Sequence, residues 1–158
     1  MSTLHIMVGV PGAGKSTYST KLAESLGCTR VSFDVIMEEI RSNRALRAHW
    51  VRGEKVREEY YERIASSLAS GDVVADSTHV HTRDLQKLMA ISPEGTDFKV
   101  YWFDISPEVA VERQKQRKRQ VPAPVIRMMW MAMQTCWKQL GRMLPEDHIV
   151  VIDETVSA

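Results

Sequence analysis

Cysteine is nearly absent: Cys28 and Cys136 are the only two in 158 residues. Two isolated thiols cannot supply the disulfide framework on which small secreted domains rely, so reduced thiols in a cytoplasmic protein are expected. Long apolar runs are missing too. None approaches the roughly 20 residues a membrane-spanning helix needs, and the N-terminus lacks a basic-then-apolar signal pattern, so no membrane role is expected. Net charge is also lacking: 21 Lys and Arg against 20 Asp and Glu leave +1. Any affinity for a polyanion must therefore come from a local basic patch. No repeat, low-complexity tract or linker divides the chain, whose length suits one domain over residues 1–158.

Glycine is sparse as well, but three of the eight glycines crowd into the stretch Gly9-Val10-Pro11-Gly12-Ala13-Gly14-Lys15-Ser16-Thr17. This fits the phosphate-loop pattern G-x-x-x-x-G-K-[ST] without mismatch. An apolar strand, Leu4 to Val8, precedes it, and a helix to Leu26 follows. Glycines let the backbone wrap a phosphate and turn N–H groups inward, and the positive end of the helix points at the same place. The expected nucleotide contacts are Gly12, Ala13, Gly14, Lys15, Ser16 and Thr17. Lys15 is expected on the β- and γ-phosphates, and the Ser16 hydroxyl on Mg²⁺. ATP or another nucleoside triphosphate with Mg²⁺ is thus the expected cofactor pair. A glycine-rich turn with an idle lysine would explain the glycines, but not the Lys-Ser pair in this strand–loop–helix setting.

Strands and helices alternate along the rest of the chain. Strands are expected at 29–33, 73–75, 98–103 and 149–152. Helices are expected at 35–47, 54–70, 82–91, from Ser106-Pro107 onward, and from Pro124 to about Leu140. The pattern predicts an α/β fold: a parallel sheet of about five strands flanked by helices, with ligands at the strands' carboxyl ends. Gly9, Asp34, Asp76 and Asp104 each follow a strand and should gather along one edge. Asp34, facing the phosphate loop, could accept a proton from an attacking hydroxyl or only cap the next helix. Asp76-Ser77-Thr78 could position an acceptor, bind Mg²⁺ through water, or start a turn. Asp104 reads as a turn residue, and His79 and His81 as a solvated loop.

Arg113, Lys115, Arg117, Lys118 and Arg119 form a basic run before the break Val121-Pro122-Ala123-Pro124. Such runs are commonly solvated helix faces. Here the run suits a helical lid over about 113–124, in which Arg113 and Arg117, one turn apart, reach the phosphates. In the last helix, Ile126, Met129, Trp130, Met133, Trp137 and Leu140 form one apolar face that reads as core. Val125, Met128 and Met131 fall outside it, which leaves packing under the lid or a homodimer contact as their alternatives.

From Leu4 to Met143 the chain resembles the kinase domain of bacteriophage-type polynucleotide 5′-kinases. The phosphate loop with Pro11, an aspartate after the second strand (Asp34), a second aspartate followed by hydroxyl residues (Asp76-Ser77-Thr78), the arginines of an Arg-x-x-x-Arg lid (Arg113, Arg117) and Val121-Pro122 carry the resemblance. It implies transfer of the ATP γ-phosphate to a 5′-hydroxyl end of DNA or RNA. Asp34 would be the general base, and Lys15, Arg113 and Arg117 would steady the moving phosphoryl group. Asp34, Arg41, Asp76 and Thr78 would meet the acceptor, and a phosphatase or ligase for end healing would be a separate protein. One position departs from the family. Met37 stands where an arginine is usual, and Arg41, one turn on, could take its place beside Arg44 and Arg47. Met37 favours the rival reading, a kinase of a small hydroxylated metabolite or a nucleoside. A nucleotide-dependent ATPase or switch is the third reading, but no water-positioning glutamine stands out near the strand ends.

Overall fold

The computed structural model describes residues 1–42 and 49–155, with only the helical backbone described for 49–52. Five strands, β1 (Thr3–Val8), β2 (Thr29–Ser32), β3 (Val73–Asp76), β4 (Asp97–Asp104) and β5 (Ile149–Asp153), form one sheet in the order β2-β3-β1-β4-β5. Every pairing is parallel, and Leu4 of β1 lies between Val73 of β3 and Phe98 of β4. The expected fold class and strand number are the ones observed.

Helices make all the crossovers: α1 (Lys15–Leu26), α2 (Phe33–Arg41), α3 (His49–Leu68), α4 (Thr82–Ile91), α5 (Pro107–Gln114) and α6 (Ala123–Met143). The chain runs outward from β1 to β2, returns to β3, then crosses β1 to reach β4 and β5. That reversal opens a crevice at the carboxyl end of β1, where sheets of this kind take ligands. The phosphate loop sits there. β1 and β3 are buried almost end to end, as strands covered on both faces must be, whereas edge strand β5 exposes Val151.

Several element boundaries differ from those expected of the sequence. α2 begins at Phe33 because the Ser32 hydroxyl accepts from Val35 N and so caps the helix. It ends at Arg41, and the expected continuation through Arg44 and Arg47 lies outside the described residues. α3 begins at His49, ahead of the expected Glu54. Ser106 and Pro107 start α5 as expected, with Ser106 Oγ accepting from Val109 N. α5 stops at Gln114, so the basic stretch 115–122 is a loop and not a continued helix. Four like charges within five residues, Lys115 to Arg119, disfavour helical stacking, and Pro122 forces the preceding residue out of helical geometry.

α6 buries Ile126, Met133 and Leu140 together with Cys136, while Met129 and Trp130 are half-buried. Trp137 is packed less deeply than expected: its ring leans on Trp102 at a centroid distance of 4.9 Å and stays partly exposed. Met128 and Met131 are 70% and 66% exposed, so they do not pack under the lid. Neither cysteine is in a disulfide. Among the described residues, no helix is long and apolar enough to cross a membrane.

Candidate phosphoryl-transfer site

The phosphate loop is held on three sides. Gly9 N donates to Thr78 O at 3.0 Å, tying the loop to the segment after β3. Gly12 and Gly14 take positive φ values of 87° and 95°, a conformation that side chains resist. Gly12 also lies against α5, where an added Cβ would meet Ala110 O at 2.3 Å. Lys15, 9% exposed, folds its Nζ back onto Val10 O at 2.8 Å. Burial lowers its pKa to about 8, against the opposing pull of the Asp76 and Asp34 carboxylates, while Arg117 pushes the same way as burial. All four charged groups therefore share one electrostatic neighbourhood.

Asp34 lies in the first turn of α2, and because Ser32 already caps that helix, the Asp34 carboxylate is not spent as a cap. It is two-thirds exposed and faces Arg117 across the cleft, Oδ2 to Nη2 4.0 Å. An ion pair this open contributes little to stability, well under about 1 kcal/mol. Its interest is that a carboxylate and an arginine, the candidate general base and the candidate phosphate ligand, meet from opposite walls. Arg41 sits two turns along α2 on the side that carries Asp34, exposed, while Met37 between them packs partly into the core.

Asp76 and Thr78 are placed differently. Asp76 is 5% exposed, and its Oδ2 accepts from Ser19 Oγ at 2.9 Å and Arg30 Nη2 at 2.5 Å. Arg30 Nε also donates to Ser19 Oγ at 2.8 Å. Asp76 thus backs the first turns of α1 and does not point outward to an acceptor. Thr78 contributes the carbonyl that receives Gly9 N. The Ser16 hydroxyl is exposed one turn before Ser19, so Ser16 and, through water, Asp76 present the oxygen-donor chemistry that Mg²⁺ accepts.

The two lid arginines are not neighbours on one helix face. Arg113, near the end of α5, reaches Ala13 O at 3.4 Å and Glu154 O at 3.3 Å, bracing the phosphate loop against the segment after β5. Glu154 also receives Ser106 N at 3.0 Å. Arg117 lies in the loop beyond α5 and is the one that faces Asp34. Leaving the helix breaks the one-turn spacing on which the pairing of Arg113 with Arg117 rested.

His79 is not in a solvated loop. It is 4% exposed at a positive φ of 45°, with Nδ1 2.7 Å from Met7 O and Nε2 2.9 Å from Tyr60 OH. Burial lowers its pKa. It fastens the segment after β3 to β1, immediately below the phosphate loop. His81 is exposed and starts α4, its N–H donating to Asp84 Oδ2 at 3.1 Å. Among the described residues, no group of three His, Cys, Asp or Glu could hold a metal.

Arg30, Ser19, His79 and Glu154 were not found by sequence reasoning. Only Arg30 carried a signal, a charge inside a short strand that needs a partner. A groove of about 430 Å³ along edge strand β2, lined by Arg30, Val35, Glu59 and Arg63 among others, shares no residue with the phosphate loop. It is separate from the donor site. Arg63 pairs with Glu59 at 2.9 Å, one turn away on α3, and with Glu39 of α2 at 2.7 Å.

The parallel sheet and the loop together make a P-loop α/β fold. Residues 4–140 match the model of the AAA domain family, and the chain belongs to that family. It is similar to a chain in the structure of the Pnkp1/Rnl/Hen1 RNA repair complex at 23% identity and a TM-score of 0.75, over 87% of this chain and 46% of that one. A second structure of the Pnkp1/Rnl/Hen1 complex matches at 25% identity and a TM-score of 0.61, over 75% of this chain and 41% of that one. A gluconokinase from Sinorhizobium meliloti 1021 matches at 23% identity and a TM-score of 0.55, over 96% of this chain and 82% of that one. This chain thus spans less than half the length of the RNA-repair chains and most of the gluconokinase.

Proposed function

We propose that the protein is a polynucleotide 5′-kinase, moving the γ-phosphate of ATP to a 5′-hydroxyl end of DNA or RNA. The observation that carries this reading is the facing of Asp34 and Arg117 across the mouth of the phosphate loop, 4.0 Å apart. Asp34 takes the proton of the attacking hydroxyl as its oxygen bonds to the γ-phosphorus. The bond from that phosphorus to the bridging oxygen breaks, and ADP leaves. Lys15 lets go of Val10 O and, with Arg117, neutralises charge on the transferring group. Ser16 and, through water, Asp76 would hold Mg²⁺, which would supply neutralisation of phosphate charge. Arg113 acts here through the phosphate loop it braces, and Arg41 contacts the phosphate next to the acceptor hydroxyl. The exposed basic loop Lys115–Arg119 suits a polyanionic acceptor, and the likeness to a chain of an RNA repair complex supports the same choice.

A second reading, a kinase of a small hydroxylated metabolite, draws on the half-buried Met37 and on the likeness to a gluconokinase. γ-Labelled ATP offered in parallel with 5′-hydroxyl oligonucleotides, nucleosides and gluconate separates the two. Label is expected on the oligonucleotides. Label found only in a small molecule gives the second reading, and label released only as inorganic phosphate makes the protein an ATPase.

A further inference from the structure

The loop that carries Arg117 is closed at its base by one buried side chain. Gln114 is the last residue of α5 and is 3% exposed. Its carboxamide Nε2 donates to Val121 O, and its Oε1 accepts from Val121 N at 2.9 Å. Both polar atoms are thus matched to the backbone of a single residue, as a neighbouring strand would match it. Between these ends lie Lys115, Arg117, Lys118 and Arg119, whose mutual repulsion would otherwise spread the loop. Arg117 N donates to Gln114 O at 2.9 Å, and Gln120 Nε2 to Lys115 O at 3.1 Å, so the loop is folded on itself above the clamp. The clamp in turn rests on the phosphate loop, since α5 touches Gly12 at Ala110 and reaches Ala13 O through Arg113.

We propose that Gln114 is a positioning residue: its two bonds to Val121 set where Arg117 stands relative to the phosphate loop and Asp34. This rests on the reading of Arg117 as the arginine that meets the transferring phosphoryl group. A carboxamide is suited to the task because it both donates and accepts in one plane. A carboxylate in its place can accept from Val121 N but cannot donate to Val121 O. A protonated carboxyl can do both.

The test compares single-turnover phosphoryl transfer, with whichever acceptor takes label, in the full chain and in Gln114→Ala, Gln114→Glu, Arg117→Ala and the Gln114→Ala/Arg117→Ala pair. Displacing a reacting group by about 1 Å costs on the order of 100-fold, so Gln114→Ala is expected to lower the rate about 10- to 100-fold with little change in the KM for ATP. The double variant is expected to be no slower than Arg117→Ala alone. The rate of Gln114→Glu relative to the unaltered protein is expected to rise as pH falls and the carboxyl gains its proton. A loss from Gln114→Ala that is equally large without Arg117 overturns the proposal alone. An Arg117→Ala variant at full rate overturns the role of Arg117 and the proposal with it.

Discussion

The two sides of the cleft are built in opposite ways. The donor side is backbone and buried charge: Gly9 bonded to Thr78, Gly12 pressed on α5, Lys15 enclosed beside Asp76, and Asp76 fixed by Ser19 and Arg30. The acceptor side is exposed side chains: Asp34 from α2, Arg117 from a loop, and Arg41 at the end of α2. On the proposed function, a nucleotide would meet a preformed cradle, while the acceptor would meet groups that can still rearrange. Donor recognition in such a design is common to many kinases, whereas acceptor choice can change with a few exposed residues.

The sharpest way to break this contrast is Asp34→Ala. It removes a proton acceptor but no part of the cradle, so transfer is expected to fall about 1,000-fold while ATP affinity stays within about twofold. Isothermal titration beside single-turnover rates reads both quantities, and a parallel loss of affinity would erase the division. Gly12→Ala attacks the other side. With its Cβ driven against Ala110 O at a left-handed φ, it is expected to lose about 3 kcal/mol of stability and most nucleotide binding. Thermal unfolding with and without ATP checks this, and a normal ATP-induced shift in Tm would show the contact to be soft.

His79→Phe tests the support below the loop. Met7 O and Tyr60 OH lose their partner, at an expected cost of about 2 kcal/mol in urea unfolding. The pH dependence follows from the lowered His79 pKa. A group whose folded pKa lies below its unfolded value stabilises above the unfolded value of about 6.5, and that stability is lost as pH falls. The unaltered protein should lose stability on acidification over this range, and His79→Phe should lose less.

Lys15 gives a smaller effect. Its pKa of about 8 in the nucleotide-free protein should rise when phosphates arrive, so ATP affinity should weaken severalfold as pH climbs past about 8. Lys15→Arg, which keeps its charge, should show no such decline. Smallest is Arg41→Ala, expected to raise the KM for oligonucleotides and to reduce the salt slope of single-strand binding by about 0.7. An unchanged slope would leave Met37 without a substitute.

The same contrast governs what can be read from the sequence. The cradle is contiguous, Gly9 to Thr17, and each of its residue types answers one chemical need, so it is legible from residue order alone. The strand–helix alternation is legible because parallel strands buried on both faces leave dense apolar runs. The supports are not. Arg30 meets Asp76 across 46 residues, and His79 meets Met7 across 72. No local pattern encodes such distances. The lid departs from expectation in its geometry: a basic run at helical spacing leaves the helix at Gln114, because a side chain bonding to Val121 and a following proline outweigh local propensity.

The proposed function has this donor cradle serve a polynucleotide end. It is tested most directly by the ratio of kcat/KM for a 5′-hydroxyl pentanucleotide to that for the matching nucleoside, followed as salt is raised. A ratio far above one that falls steeply with salt is expected from the basic loop and Arg41. A ratio near one and flat in salt, or better turnover of gluconate than of either, would contradict the account.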